Sequence, residues 1–276
     1  MKDSQLTFFF SFFLYALTLV LGVTIARLHL FVAKVGAYAP TLALAQSRGL
    51  VITIVLIVAF LFLIRVIHSK HVTLSLMLLV ILAVGTHYVV AAFQFPSGTF
   101  AITLLIVSAA TIIPTVFTHD LGMVFGIAGV SAILGATMTP AVAILIMMVM
   151  AIYDFRTVAR GDAVKYGKQM IESGAVFGFI IPRHISGFFQ RRDKALQGGT
   201  VLLLGSLDIG LPLLLTSAVA NEPLISAIFI SVGALDGLLI AHLLLFRTRK
   251  NAYVAAIPPI SSTSIFGYLM KMVLGF

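Results

Sequence analysis

Two aspartates stand in apolar surroundings, Asp154 in AIYDFRT and Asp208 in LLLGSLDIGLPLLL. An ionised carboxylate in hydrocarbon costs at least about 2.5 kcal/mol. A residue kept at that cost ordinarily faces a bundle interior, finds a partner and marks function. Two such acids on neighbouring helices suit two chemistries. They share a proton and activate water, or they relay protons or ions. A third acid, Asp236 in SVGALDGLLIAH, lies 11 residues before Arg247, at a depth comparable with that of Asp208. Spacing alone leaves open whether Asp208 pairs with Asp154 or Asp236. The plainer role for Asp236 is packing or hydrogen bonding within the bundle. His87 and His242 also fall in apolar segments, where a lone histidine most often satisfies a neighbour.

The chain around these acids is 276 residues long, 61% hydrophobic and 10% charged. A soluble domain is nearer 45–50% apolar and about 25% charged. The composition predicts an all-α polytopic membrane protein. The apolar runs are continuous rather than alternating, which disfavours a barrel. Spans of about 20 residues are predicted near 6–26, 49–67, 72–93, 99–117, 121–138, 140–155, 200–220, 224–246 and 252–275. That makes nine spans in a single membrane-embedded domain, 1–276. Spans one to six fill about 1–155, a basic loop covers 156–199, and spans seven to nine occupy 200–276. The N-terminal segment lacks an A-x-A-like cleavage site and reads as the first helix.

Loop charge gives the orientation. With nine spans, 14 Lys and Arg residues fall on the face that holds the N-terminus and 3 on the opposite face. The positive-inside rule then places the N-terminus in the cytoplasm and the C-terminus outside. The net charge of +9 therefore reads as topology and contact with anionic headgroups, not as a nucleic-acid surface. The chain has no cysteine, which excludes disulfide and thiolate chemistry. No HExxH, Walker loop, GxSxG elbow or carboxylate set with metal-ligand spacing occurs.

Local breakers surround the candidate site. Gly205, Ser206, Gly210 and Pro212 flank Asp208 and weaken the helix, freeing backbone groups for solvent or substrate. The last span begins NAYVAAIPPISS. Pro258 and Pro259 cannot donate backbone hydrogen bonds, so they mark either a helix start or a rigid loop that shapes a site. In the basic loop, AVFGFIIPRHISGFF is too short to span. It reads as an interfacial segment, or as an extended FGFII strand able to pair with a bound peptide.

Taken together, these features resemble the presenilin and signal-peptide-peptidase family of intramembrane aspartyl proteases, particularly its archaeal presenilin homologues. Tyr153-Asp154 matches the family's Tyr-Asp motif. Gly205-Ser206-Leu207-Asp208 corresponds to Gly-x-Gly-Asp, with Leu207 in place of the second glycine. Ala255-Ala256-Ile257 followed by Pro258 corresponds to Pro-Ala-Leu, retaining its middle alanine. The match is firmest from about residue 148 onward; earlier spans agree in number and hydropathy.

The resemblance implies a presenilin-like fold in the cell membrane and hydrolysis of peptide bonds in transmembrane substrates. Asp154 and Asp208 would be the catalytic dyad. Tyr153, Gly205, Leu207, Ala255, Ala256, Ile257 and Pro258 would face substrate, with Leu207 narrowing the space beside the attacking water. No metal or cofactor is implied. Membrane lipids and transmembrane peptides are the expected partners, and association with a second copy stays open. The other readings are a proton-coupled transporter that uses Asp208, Asp236 and the histidines as a relay, and a catalytically impaired family member that binds membrane helices.

Overall fold

The computed structural model describes residues 2–34, 70–93, 98–198, 201–247 and 254–275. The predicted second span, 49–67, lies outside the described residues, as do the loop cations Arg48, Arg65, Arg249 and Lys250. The elements in order are α1 (Lys2–Lys34), α2 (Lys70–Ala92), α3 (Thr99–Ile112), α4 (Val116–Ala136), α5 (Pro140–Ala159) and α6 (Asp162–Ser173). There follow β1 (Gly178–Pro182), a 3-10 turn (Ile185–Phe189), α7 (Arg192–Gln197), β2 (Val201–Gly205), α8 (Ser206–Ala218), α9 (Leu224–Arg247) and α10 (Ile257–Val273).

Short sequence signals fix the helix starts. Thr115 caps α4, its side chain accepting from the Thr118 N–H at 3.2 Å. Thr139 caps α5 in the same way ahead of Pro140. A β-region threonine at the cap satisfies one of the N–H groups that the first turn leaves without a partner. Among the described residues, five helices are long and apolar enough to cross a bilayer: Gln5–Phe31, Leu74–Ala92, Val116–Ala136, Pro140–Ala159 and Leu224–Phe246. α3 and α8 are apolar but shorter.

α8 is the axis of the bundle. Ile209 and every residue from Leu211 to Ser217 are buried, and the helix packs against α1, α4, α5, α9 and α10. A helix apolar on all sides is stable only when enclosed. One core joins Tyr15 and Leu19 of α1, Leu82 of α2, Met123 and Ile127 of α4, and Leu213 of α8. A second joins Met147 of α5, Leu211 and Leu215 of α8, Ile230 of α9 and Ile257 of α10. Between α2 and α4 the backbones nearly touch, and a Cβ at Gly85 would lie 2.1 Å from the Gly126 carbonyl oxygen. Small residues at such crossings are how apolar helices gain close packing in a membrane. The outer faces remain apolar, as at Leu105, Leu145 and Ile152.

Two sequence expectations are corrected here. The predicted seventh span, 200–220, opens with a strand, and its helix is the 13-residue Ser206–Ala218. Val201–Leu204 is an apolar run whose conformation is decided by a partner, β1, 19 to 25 positions earlier in the chain. In the basic connection, predicted as a loop over 156–199, residues 156–198 hold the end of α5, then α6, β1, the turn and α7.

The two strands are antiparallel, with Gly178 opposite Gly205, Ile180 opposite Leu203 and Pro182 opposite Val201. β1 is buried along its whole length. Phe179 and Ile181 point into the core of α1, α2 and α4. Ile180 points the other way, onto Val116 and Phe188.

Candidate active site

Asp208 sits in the first turn of α8, where a carboxylate is favoured by the helix dipole and the free N–H groups. Its Oδ2 accepts from the Gly205 N–H at 2.9 Å, one half of a capping box. The side chain is thereby tied to the last residue of β2. The Asp208 carbonyl has a separate partner. In an unbroken helix it would accept from the N–H four residues on, but that residue is Pro212, which has none. The hydroxyl of Tyr15, fully buried on α1, donates to this carbonyl at 2.9 Å.

Tyr15 was not legible as a site residue: it is one aromatic in an apolar helix. The signal was Pro212, since a proline inside a helix always orphans the carbonyl four residues earlier. Tyr15→Phe should leave that carbonyl unpaired and cost about 1–3 kcal/mol. Thermal unfolding in detergent checks this; an unchanged midpoint would mean that another donor replaces the hydroxyl.

Asp154 lies on α5, five positions before its end, and is partly buried. Its Oδ2 accepts from the Ile257 N–H at 3.2 Å, at the start of α10. Pro258 and Pro259 supply no N–H to the first turn of that helix. Asp154 thus takes over the role of an N-cap from a different helix. The two prolines are part of α10, as the helix-start reading expects. The Ala255–Pro258 segment meets α5 at Asp154.

Asp154 is close enough to Asp208 for its charge to act on that carboxyl. α5, α8 and α10 pack on one another, so the Tyr153-Asp154, Gly205–Asp208 and Ala255–Pro258 segments converge. Tyr153 is exposed on α5, and its carbonyl accepts from the Thr157 hydroxyl at 2.8 Å. Leu207 is 47% exposed, its side chain directed off the buried face of α8.

Asp236 is not brought to this place. It is on the exposed face of α9, in line with Val232, Leu239 and Leu243. This corrects the expectation of a role inside the bundle. His242 does satisfy neighbours: its Nε2 meets Ser11 Oγ at 3.0 Å and its Nδ1 meets the Leu238 carbonyl at 3.1 Å. His87 is exposed on α2. Among the described residues, neither histidine shares a hydrogen bond with Asp236.

The FGFII segment is extended as a strand from Gly178 onward, but its role as a docking edge needs correcting. One edge is paired with β2. The opposite edge is covered by α4, whose Asp120 and His119 bond to Ile180 and Gly178. The edge directed away from β1 belongs to β2, at Val201 and Leu203, because main-chain groups alternate sides along a strand. Sequence reading missed His119 and Asp120, which fall between predicted spans 99–117 and 121–138. The Thr115 cap after Pro114 was the available signal, since it sets both residues inside α4.

The family model for signal-peptide peptidase, presenilin aspartyl protease, matches residues 7–275. Two solved structures share the fold, each of a presenilin family intramembrane aspartate protease. The one in a P2 space group has a TM-score of 0.58 at 16% identity and covers 95% of this chain and 97% of its own. The one in a C222 space group has a TM-score of 0.57 at 15% identity, with the same coverage. No curated protein matches the sequence.

Proposed function

Because the chain belongs to the signal-peptide peptidase and presenilin aspartyl protease family, we propose that it hydrolyses peptide bonds of transmembrane segments with Asp154 and Asp208. The observation that carries this reading is the convergence of these two acids from α5 and α8, while Asp236 faces outward. Two adjacent carboxyls cannot both ionise easily, so they share a proton. The ionised member takes a proton from water as the water attacks the scissile carbonyl. The protonated member donates to the developing oxyanion. The two protonation steps belong to the pair and not to Asp154 or Asp208 singly, because such a pair titrates as a unit.

A helical peptide bond is shielded, so the substrate must be held extended. The outward edge of β2 offers main-chain groups for this, and it leads directly into Gly205 and Asp208. Leu207, beside Asp208, and the Ala255–Pro258 turn, beside Asp154, are then the surfaces nearest the scissile bond, with Tyr153 and Gly205 at the margins. The topology that fits is nine spans in one membrane-embedded unit, in the cell membrane, with the N-terminus and the basic 156–199 connection cytoplasmic.

The test is cleavage of a transmembrane peptide by the purified protein in detergent, with products identified by mass spectrometry. An aspartyl-protease transition-state analogue is expected to block it. Binding of the analogue without cleavage would favour an impaired family member, and absence of both would sink the reading. In the same assay Asp236→Asn should cleave at close to the wild-type rate. Complete loss in that variant would reopen the choice of pair.

A further inference from the structure

We propose that Asp120, assisted by His119, is a positioning residue that clamps the outer edge of β1 and through the sheet sets the place of Asp208. The inference rests on the protease reading for its consequence, though not for its geometry. Asp120 and His119 are buried side by side on α4. Asp120 Oδ1 accepts from the Ile180 N–H at 2.8 Å. His119 Nε2 lies 3.0 Å from the Gly178 carbonyl oxygen. A carbonyl can only accept, so Nε2 carries the proton.

Both bonds go to the main chain of one strand, on the edge not used by β2. Gly178 and Ile180 are two residues apart and present their backbone to the same side. Pro182, next on that side, has no N–H to satisfy. One acceptor, one donor and one proline therefore close the edge against any added strand. This is an edge-protection device placed inside a helical bundle.

The connection to the site is short. Gly178 is opposite Gly205 in the register. The Gly205 N–H bonds to Asp208 Oδ2 at 2.9 Å, and the Ser206 N–H bonds to the Phe177 carbonyl at 3.1 Å. From α4 to Asp208, each step is thus a hydrogen bond or a paired strand position. A shift of β1 along α4 would carry Gly205 with it and move both the carboxyl and the docking edge. The clamp uses Asp120 as an acceptor. Its second oxygen, Oδ2, makes no hydrogen bond among the described residues, so the role does not require a charge.

The test compares Asp120→Ala and Asp120→Asn in the full chain, in detergent, on a transmembrane peptide with mapped products. Asparagine keeps an oxygen acceptor for Ile180; alanine does not. Asp120→Ala is expected to lower kcat at least about 10-fold, since a misplacement of about 1 Å at a reacting centre can cost 100-fold. It should also spread cleavage over neighbouring bonds, whereas Asp120→Asn keeps the wild-type cut site. A residue with a merely structural role would lower the yield of active protein without moving the cut. Wild-type rate and cut site in Asp120→Ala would overturn the proposal, as would equal loss in both variants.

If Asp120→Ala fails to fold, His119→Phe removes the second tie alone. It should give a smaller shift in the same direction, and an unaltered cut site would count against the clamp. Amide hydrogen exchange over residues 178–182 reads the clamp without any substrate. A wild-type protein that cleaves nothing would defeat the protease reading. Faster exchange there in Asp120→Ala would still support the clamp, and unchanged exchange would overturn it.

Discussion

Asp208→Asn is expected to lose peptide cleavage by at least about 100-fold, the lower bound for removing one general acid–base group, while the protein stays folded. Asn keeps an oxygen in the place of Oδ2, so the Gly205 N–H retains its acceptor. The Tyr15 bond is to the main-chain carbonyl and is untouched. Only the capacity to gain and lose a proton is removed. Asp154→Asn should behave alike, because its oxygen can still accept from Ile257. Alanine at either position is a different experiment. It frees Gly205 or Ile257 as well as deleting the acid, so it should lower the unfolding midpoint where asparagine does not. Rates on a transmembrane peptide, with thermal unfolding of the same samples, separate the two effects. Retained cleavage by either asparagine variant would exclude a two-aspartate mechanism.

The proposed pair was legible because acids are rare and costly in apolar helices, which raised Asp154 and Asp208 as candidates. The same signal raised Asp236 equally; motif order favoured Asp154 with Asp208, and the fold places Asp236 on an outer face. α9 is apolar around its circumference, so periodicity gives no inward face, and nothing local tells that Asp236 is on the outer side. Helix packing decides this: Gly233 and Gly237 face α10 so closely that a Cβ on either would collide with it. That fixes the rotation of α9 and turns Asp236 away.

The β-structure was half legible. FGFII was readable as a strand, but the run VLLLG is as apolar as a helix segment, and periodicity does not separate a short buried strand from one. Its state depends on a partner beyond any local window. The groups that hold the sheet were hidden for the same reason. His119 and Asp120 look like a polar break between spans. They are helix residues whose partners, Gly178 and Ile180, lie about 60 positions away. Leu207 drew attention as a departure from Gly-x-Gly-Asp, and it is an exposed side chain rather than a filler of the core. A larger residue than glycine is therefore compatible with the fold there.

Gly178→Ala is the second large effect to expect, and it acts on the sheet without touching either aspartate. Gly178 has φ +154, a region essentially reserved for glycine, so backbone strain alone should cost about 1–3 kcal/mol. The added Cβ would lie 2.1 Å from the Leu204 carbonyl oxygen. That atom is main chain in β2, so it cannot rotate away. Either β2 shifts, taking Gly205 and Asp208 along, or the strands part at their first register pair. In both cases the His119 bond to the Gly178 carbonyl is put under load. We expect cleavage to fall at least about 10-fold, given the sensitivity of reacting groups to displacements of about 1 Å, together with a lower unfolding midpoint. Gly205→Ala is the control within the same sheet. Its Cβ would lie 3.1 Å from Asp208 Oδ2, the end of a side chain that can yield by a few tenths of an ångström. Its φ of −64° suits alanine. Stability should therefore hold in Gly205→Ala while the rate falls modestly. If both alanine variants behaved alike in rate and unfolding, the register between Gly178 and Gly205 would not be what holds Asp208 in place.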